Sequence, residues 1–259
     1  MQSQLSLNYI AFRAIVKKEC ARFMRIWPQS MLPSVITTSL YFIIFGHFLG
    51  TRLGNIHDIS YITYVAPGFI IMVIITNAYN NVASSFFSER FQNSHQEFIW
   101  SPISYHTLII SFVTGGILRG LLTAILVTFI ALCFTQVHLV HPISMLIITL
   151  LTASLFAIAG FINALFATRF DSIATIPNFV LTPLIYLGGV FYSIELLPPL
   201  WQKISLFNPI LYIVNAFRYS MLGVADVPVE IALMTIFLMN IILYSICYSL
   251  VKKGVGVKE

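Results

Sequence analysis

Apolar residues dominate this chain in long blocks, and charged positions interrupt them only at intervals. Six charge-free runs stand out: Ile26–Thr51, Ile59–Ser88, Phe98–Leu118, Gly120–Thr168, Ser172–Ile194 and Ile231–Val251. A helix that crosses a bilayer takes about 20 predominantly apolar residues, and the fourth run is roughly twice that length. "QVHLVHP", Gln136 to Pro142, breaks this fourth run with a polar, proline-ended turn. Dividing the region at that turn predicts six spanning helices, over 29–50, 64–87, 106–135, 143–167, 172–190 and 229–251. The runs are continuous rather than alternating, which excludes a membrane β-barrel.

Composition agrees with the pattern. Hydrophobic residues make up 58% of the 259 positions and charged residues 9%, against about 25% charged in soluble domains. So few charges cannot cover a water-exposed surface. The chain is therefore expected to be an all-α integral membrane protein forming a single transmembrane domain over 1–259.

Ahead of the first span, Leu5 to Trp27 reads as a different kind of helix. At 100° per residue, Tyr9, Phe12, Val16, Cys20, Phe23 and Trp27 gather on one face, with basic residues on the other. Such an amphipathic helix lies in the membrane interface, as a simple anchor or as a connecting helix that also touches a cytoplasmic partner. No small-residue cleavage site follows the first apolar run, so no secretory signal peptide is expected.

Lys and Arg set the expected orientation. Six spans put both termini on one side, with Arg13, Lys17, Lys18, Arg22, Arg25, Arg90, Arg169, Lys252, Lys253 and Lys258. The other side holds Arg52, Lys203 and Arg218. The positive-inside rule then places both termini in the cytoplasm. Anionic headgroups of the lipid bilayer account for the basic balance, and no nucleic acid is needed as a partner.

Polar residues inside the spans are the candidates for function. Asn77, Asn81, Ser84, Ser85 and Ser88 recur on one face of the second span. Polar side chains avoid lipid, so this stripe is either hydrogen-bonding glue between helices or the lining of a translocation pathway. Arg119 stands about a dozen residues into the third apolar stretch, an intramembrane charge. It either snorkels toward headgroups or pairs inside the bundle, with Glu97 as the nearest acid in sequence. The fifth span carries Pro177 and Pro183, which kink it, and Thr182 and Tyr186 share a face there. Kinking to fit neighbours and bordering a pathway are both consistent with that pattern.

Between the last two spans lies a segment too polar and too short to cross. Leu197, Leu200, Trp201, Ile204 and Phe207 follow helical spacing. Pro198 and Pro199 suit the start of that helix, and Asn208-Pro209 its stop. A second short helix is predicted over Ile210 to Leu222, ending at Gly223. Together 194–222 are expected to form an external re-entrant pair dipping into the outer leaflet.

Reactive chemistry is not evident. There is no G-x-x-x-x-G-K-[ST] loop to cradle ATP and no H-E-x-x-H. Cys20, Cys133 and Cys247 are distant and odd in number, which suggests neither a disulfide framework nor a metal site. The expectation is a non-enzyme with no catalytic, cofactor or metal residues.

Two stretches carry a family resemblance. "QEFIWSPIS", Gln96 to Ser104, resembles the cytoplasmic motif of type-2 ABC exporter permeases, with Phe98 and Trp100 where Leu-Leu is usual. "GGVFYSIELLPP" followed by "NPILY" resembles that family's re-entrant segment before the last span. With the six-span layout, the resemblance covers nearly the whole chain. More narrowly, it is to short bacterial inner-membrane permeases. It implies a homodimer bound to two copies of a separate ABC ATPase, which holds the ATP and Mg. Glu97, Phe98, Ile99, Trp100 and Pro102, within a coupling helix over 96–104, would seat on that ATPase. The second and fifth spans, with Asn77, Asn81, Ser84, Ser85, Thr182 and Tyr186, would line the pathway. The re-entrant helices, marked by Pro198, Pro199, Trp201, Asn208 and Pro209, would narrow its outer exit.

The alternative is a secondary transporter or channel that needs no ATPase. It calls for paired intramembrane charges or an inverted repeat. Arg119 is the one charge well inside a predicted span, and no repeat is evident.

Overall fold

The structure, a computed structural model, describes residues 4–50, 55–56, 59–92, 103–135 and 139–256. Among them, six helical segments are long and apolar enough to cross a membrane: Trp27–Gly46, Tyr61–Phe91, Tyr105–Phe134, Pro142–Phe166, Phe170–Leu187 and Val229–Lys253. The protein is an all-α multi-pass membrane protein. The described strands are two residues each, Asn55–Ile56 (β1) paired antiparallel with Ile59–Ser60 (β2).

Helix α1 (Gln4–Arg25) precedes α2 (Trp27–Tyr41), which continues in wider turns over Phe42–Leu49. Helix α3 (Tyr61–Phe91) is the axis of the bundle, packed chiefly on α4 (Tyr105–Phe134) and α5 (Pro142–Phe166). It is buried on nearly every face, which explains why it lacks a single apolar stripe.

Small residues let these helices approach closely, the usual basis of packing where lipid supplies no hydrophobic drive. Gly160 of α5 lies directly on the backbone of α3, where an added Cβ would overlap the Tyr79 carbonyl oxygen. Gly120 of α4 has ordinary space, its nearest neighbours being the Ala78 and Ala153 methyls at 3.5 Å. Gly160→Val should therefore lower stability by about 1–3 kcal/mol through forced separation of the helices. Gly120→Ala should stay within about 1 kcal/mol, because it costs no space and favours helix. Unfolding midpoints in a fixed detergent check both; equal midpoints for the two variants would refute the close-approach account.

The fifth span is broken as its prolines require. It runs as α6 (Phe170–Ile176), a wide turn over Pro177–Leu181, and α7 (Thr182–Leu187). Pro183 brings no N–H to the ladder, and the Thr182 N–H reaches back five residues to the Pro177 carbonyl. The Thr182 hydroxyl donates to the same oxygen at 2.9 Å.

After a turn at Ile194–Leu196, two short helices follow, α8 (Pro199–Leu206) and α9 (Pro209–Leu222), and then α10 (Val229–Lys253). Pro199 opens α8, and Asn208 both ends that turn and caps α9, its side chain accepting from the Ile210 N–H at 3.0 Å. Gly223, at φ 77°, closes α9 in the left-handed conformation.

One expectation is corrected here. Helix α8 is amphipathic and exposed, with Leu200, Trp201 and Ile204 outward. Helix α9 is not a surface helix: Leu211, Val214, Asn215, Phe217 and Arg218 are all buried, and it packs on α3, α5 and α10. Arg218 is consequently no surface charge. The short length of α9 concealed this, because length tests spanning and says nothing of burial.

Candidate functional site

Two polar centres lie in the apolar bundle, and a cavity adjoins the first. The first centre begins with Arg119, 8% exposed. Its guanidinium donates to Asn77 Oδ1 at 3.2 Å, to the Ser30 carbonyl at 3.2 Å and, more weakly, to Asn81 Oδ1 at 3.4 Å. Asn81 Oδ1 also accepts from Arg22 of α1 at 2.8 Å. Arg22 in turn pairs with Glu19 at 3.1 Å, and the Ser85 hydroxyl donates to the other Glu19 oxygen at 2.5 Å. A single fully buried carboxylate thus serves a group containing two guanidiniums.

Helix geometry explains why these residues meet. Asn77, Asn81 and Ser85 stand four apart on α3 and present one line of polar atoms. Ile15, Glu19 and Phe23 repeat every four residues on α1 and form its buried face. Gly115 of α4 lets α1 settle, since a Cβ there would come within 2.8 Å of the Glu19 Cβ. A second tie is the Asn8 side chain, which accepts from the Ser104 N–H at 3.0 Å.

Helix α1 is therefore seated by a partly polar face. Of its expected apolar stripe, Phe23 turns into the bundle while Tyr9 and Trp27 stay exposed. Burial, helped by the adjacent Glu19 carboxylate, pushes the Cys20 thiol up from its ordinary value, which disfavours a reactive thiolate.

Three of the polar residues on α3, Asn77, Asn81 and Ser85, are thus occupied by bonds within the chain. Ser84 bonds its own helix, donating to the Asn80 carbonyl at 2.7 Å. Arg119 finds its partners on α3 and α2; Glu97 lies outside the described residues, as do Phe98, Ile99, Trp100 and Pro102.

The cavity lies between α2, α3 and α7 and measures about 270 Å³. Thr182 and Tyr186 line it, joined by Thr76 of α3 and by Ser34, Thr38 and Tyr41 of α2. Asn77 Nδ2 donates to Ser34 Oγ at 3.0 Å, which connects the cavity wall to the Arg119 centre. Sequence reading did not single out the α2 hydroxyls. They lie in a charge-free run with no stripe as regular as that of α3, and the adjoining Ser34–Asn77 contact is tertiary.

The second centre holds the opposite end together. Arg218 is fully buried, donating to the Gly189 carbonyl at 2.6 Å and the Tyr64 carbonyl at 3.3 Å. Its guanidinium carbon sits 4.0 Å from the centre of the Tyr64 ring. Asp226 faces it at 3.9 Å and accepts from the Ile194 N–H at 3.0 Å and the Tyr64 hydroxyl at 3.2 Å. Asn215 Oδ1 accepts the Asp226 N–H at 2.8 Å. Residues from α3, the 188–197 connection, α9 and the loop before α10 therefore converge on one charge pair. No group of three or more metal-ligating side chains occurs among the described residues.

The class this fold defines is a multi-pass membrane bundle that holds polar and charged side chains at membrane depth. The family model described as ABC-2 type transporter matches residues 10–222, and the chain belongs to that family. It is similar to the inner membrane transport permease YadH of Escherichia coli (strain K12), 46% identical over 255 residues, which is 98% of this chain and 100% of the relative. It is also similar to Nodulation protein J of Rhizobium leguminosarum bv. viciae, 21% identical over 219 residues, covering 82% of this chain and 85% of the relative. Nodulation protein J of Neorhizobium galegae is 21% identical over 235 residues, covering 90% and 88%.

Proposed function

We propose that the chain is the permease subunit of an ATP-driven exporter in a bacterial inner membrane, with both termini cytoplasmic. Two copies form the pathway between them, and each couples to a separate ATPase subunit. The observation that carries this reading is where the bundle is left uncovered. Only 17% of the most apolar stretch of α2 and 11% of that of α6–α7 is buried, against 83% for α3. These two least-covered spans are the ones that flank the cavity. A second copy applied there covers them and encloses a polar route.

The 96–104 segment, with Glu97, Phe98, Ile99, Trp100 and Pro102, is the proposed seat of the ATPase. The tie between Asn8 and Ser104 joins its end to α1. ATP and Mg would be bound by the partner. Closure of the ATPase pair would move these segments and exchange inward and outward exposure of the pathway. The permease itself would do no covalent chemistry.

The test is purification in mild detergent from the native host, with native mass measurement and identification of what accompanies the chain. We expect a complex of two permeases and two copies of a P-loop protein, lost with Glu97→Ala combined with Trp100→Ala. A chain that purifies alone and moves solute in liposomes without ATP would overturn the reading in favour of a secondary transporter.

A further inference from the structure

We propose that Arg13 and Lys17, on the outward face of α1, hold the phosphate of an anionic phospholipid in the adjoining leaflet. Such a site goes beyond the exporter reading and does not depend on it.

Helix α1 carries the cations Arg13, Lys17, Lys18, Arg22 and Arg25. Two of them are spent inside the molecule: Lys18 pairs with Glu89 at 2.6 Å, and Arg22 with Glu19 at 3.1 Å. Arg13 and Lys17 stand four apart and so share a face. Both are exposed, and among the described residues neither enters an ion pair. Ile10, Ala14 and Ala21 are exposed on the same side, opposite the buried Ile15, Glu19 and Phe23.

The neighbouring helices set the depth of that face. Helix α3 has 31 residues and α4 has 30, so each is about 45 Å long, against a hydrocarbon core of about 30 Å. One pair of ends is level at Thr63 and Thr135, whose hydroxyls share a hydrogen bond at 2.5 Å. Glu89 and Arg90 stand at the other end of α3, so the surplus length belongs there, outside the hydrocarbon. About 20 residues counted from Thr63 and from Thr135 end near Ala83 and Gly115. Helix α1 runs alongside α4 across this edge. Asn8 meets Ser104 and Glu19 meets Gly115, and the separation along the chain is the same on both helices. Lys17 and Arg13 therefore lie about 3 Å and about 9 Å past the edge. The headgroup layer occupies about 5–7 Å on each side of the core, and long basic side chains reach along it.

An open hollow of about 550 Å³ follows this flank, bounded by Tyr9, Ile10 and Ala14 together with Arg13 and Lys17. It sets cations beside apolar surface, as a phosphate joined to acyl chains requires. Arg13, its guanidinium carbon 5.9 Å from the centre of the Tyr9 ring, presents a planar fork to two phosphate oxygens, and Lys17 adds a mobile donor. A zwitterionic headgroup brings its own ammonium to the same two cations and gains less. A soluble phosphate makes no use of the apolar wall.

The experiment titrates the full chain in detergent micelles with phosphatidylglycerol or phosphatidylcholine of the same acyl chains and reads bound lipid by native mass spectrometry. The first phosphatidylglycerol should bind more tightly than phosphatidylcholine. Arg13→Gln combined with Lys17→Gln should weaken it about 30-fold, the worth of two cations at an anionic surface. Arg13→Lys with Lys17→Arg keeps both charges and should retain the preference. Lys252→Gln with Lys253→Gln removes two exposed charges from the end of α10 and should leave it intact. Glycerol 3-phosphate and inorganic phosphate should not displace the lipid. The proposal is overturned if the two lipids bind equally, if the neutralised Arg13–Lys17 pair binds as wild type, or if the charge-keeping pair loses the preference. An equal loss at Lys252 and Lys253 would overturn it in favour of diffuse attraction, and displacement by either soluble phosphate in favour of a free anion. It also falls if the neutralised pair keeps its lipid but no longer brings down the P-loop protein, for then the face belongs to that protein. Lipid binding is read without any ATPase, so failure of the exporter reading leaves these outcomes unchanged.

Discussion

Asp226→Ala should cost the protein about 3–5 kcal/mol of stability, the range for breaking a buried ion pair from one side. The loss comes less from the missing attraction than from what remains. Arg218 is fully buried, and without Asp226 its charge keeps only two carbonyls and the Tyr64 ring. The Ile194 N–H and the Tyr64 hydroxyl lose an acceptor at the same time. Replacing both partners, Arg218→Met with Asp226→Asn, should recover at least half of the loss, because neither charge is then stranded. Denaturant titration in mixed micelles, followed by tryptophan fluorescence, measures all three. A single-variant loss under about 1 kcal/mol would show that the pair is not the point where α9 is held.

The second large effect is expected at Glu19. Glu19→Leu removes the carboxylate that pairs with Arg22 and leaves the Ser85 hydroxyl without its acceptor. Two guanidiniums, Arg22 and Arg119, then share Asn81 with no opposing charge among those contacts. A destabilisation of about 3 kcal/mol is expected, again from a stranded buried charge. Because Glu19 sits between Ile15 and Phe23 on the buried face of α1, the loss should appear as local opening of that helix. Amide exchange in α1 should accelerate about a hundredfold while that of α5 stays unchanged. Lys18→Ala offers a contrast. Its pair with Glu89 at 2.6 Å is partly solvent-exposed, and such pairs contribute no more than about 1 kcal/mol. Acceleration spread evenly over all helices would mean that Glu19 supports the whole bundle rather than α1.

These two centres mark the boundary of what a linear reading can reach. The six spans were legible because each is a local property: about 20 apolar residues must be contiguous to cross a bilayer, whatever they later touch. The break in the fifth span was legible for the same reason. Pro177 and Pro183 remove backbone donors wherever they stand, and the structure shows wide turns there. Caps at Pro199, Asn208 and Gly223 are likewise decided by neighbours one to four residues away.

Partnership was decided elsewhere. The stripe on α3 announced polar contacts in its spacing but not their partners, which come from α1, α2 and α4, 38 to 66 residues distant. Glu19 and Arg22 looked like members of a basic, interfacial helix, because nothing local distinguishes a buried charge from a solvated one. Arg218 was counted as an outer-surface charge, and its counter-ion Asp226 passed unnoticed in a loop. Sequence by itself determined that the chain carries six helical stretches long and apolar enough to cross a membrane and where one of them bends, since hydrophobic length and proline chemistry act along the chain. Tertiary structure alone decided which polar side chains are consumed in holding helices together and which face a cavity, since burying a charge depends on partners that only packing brings within hydrogen-bond reach.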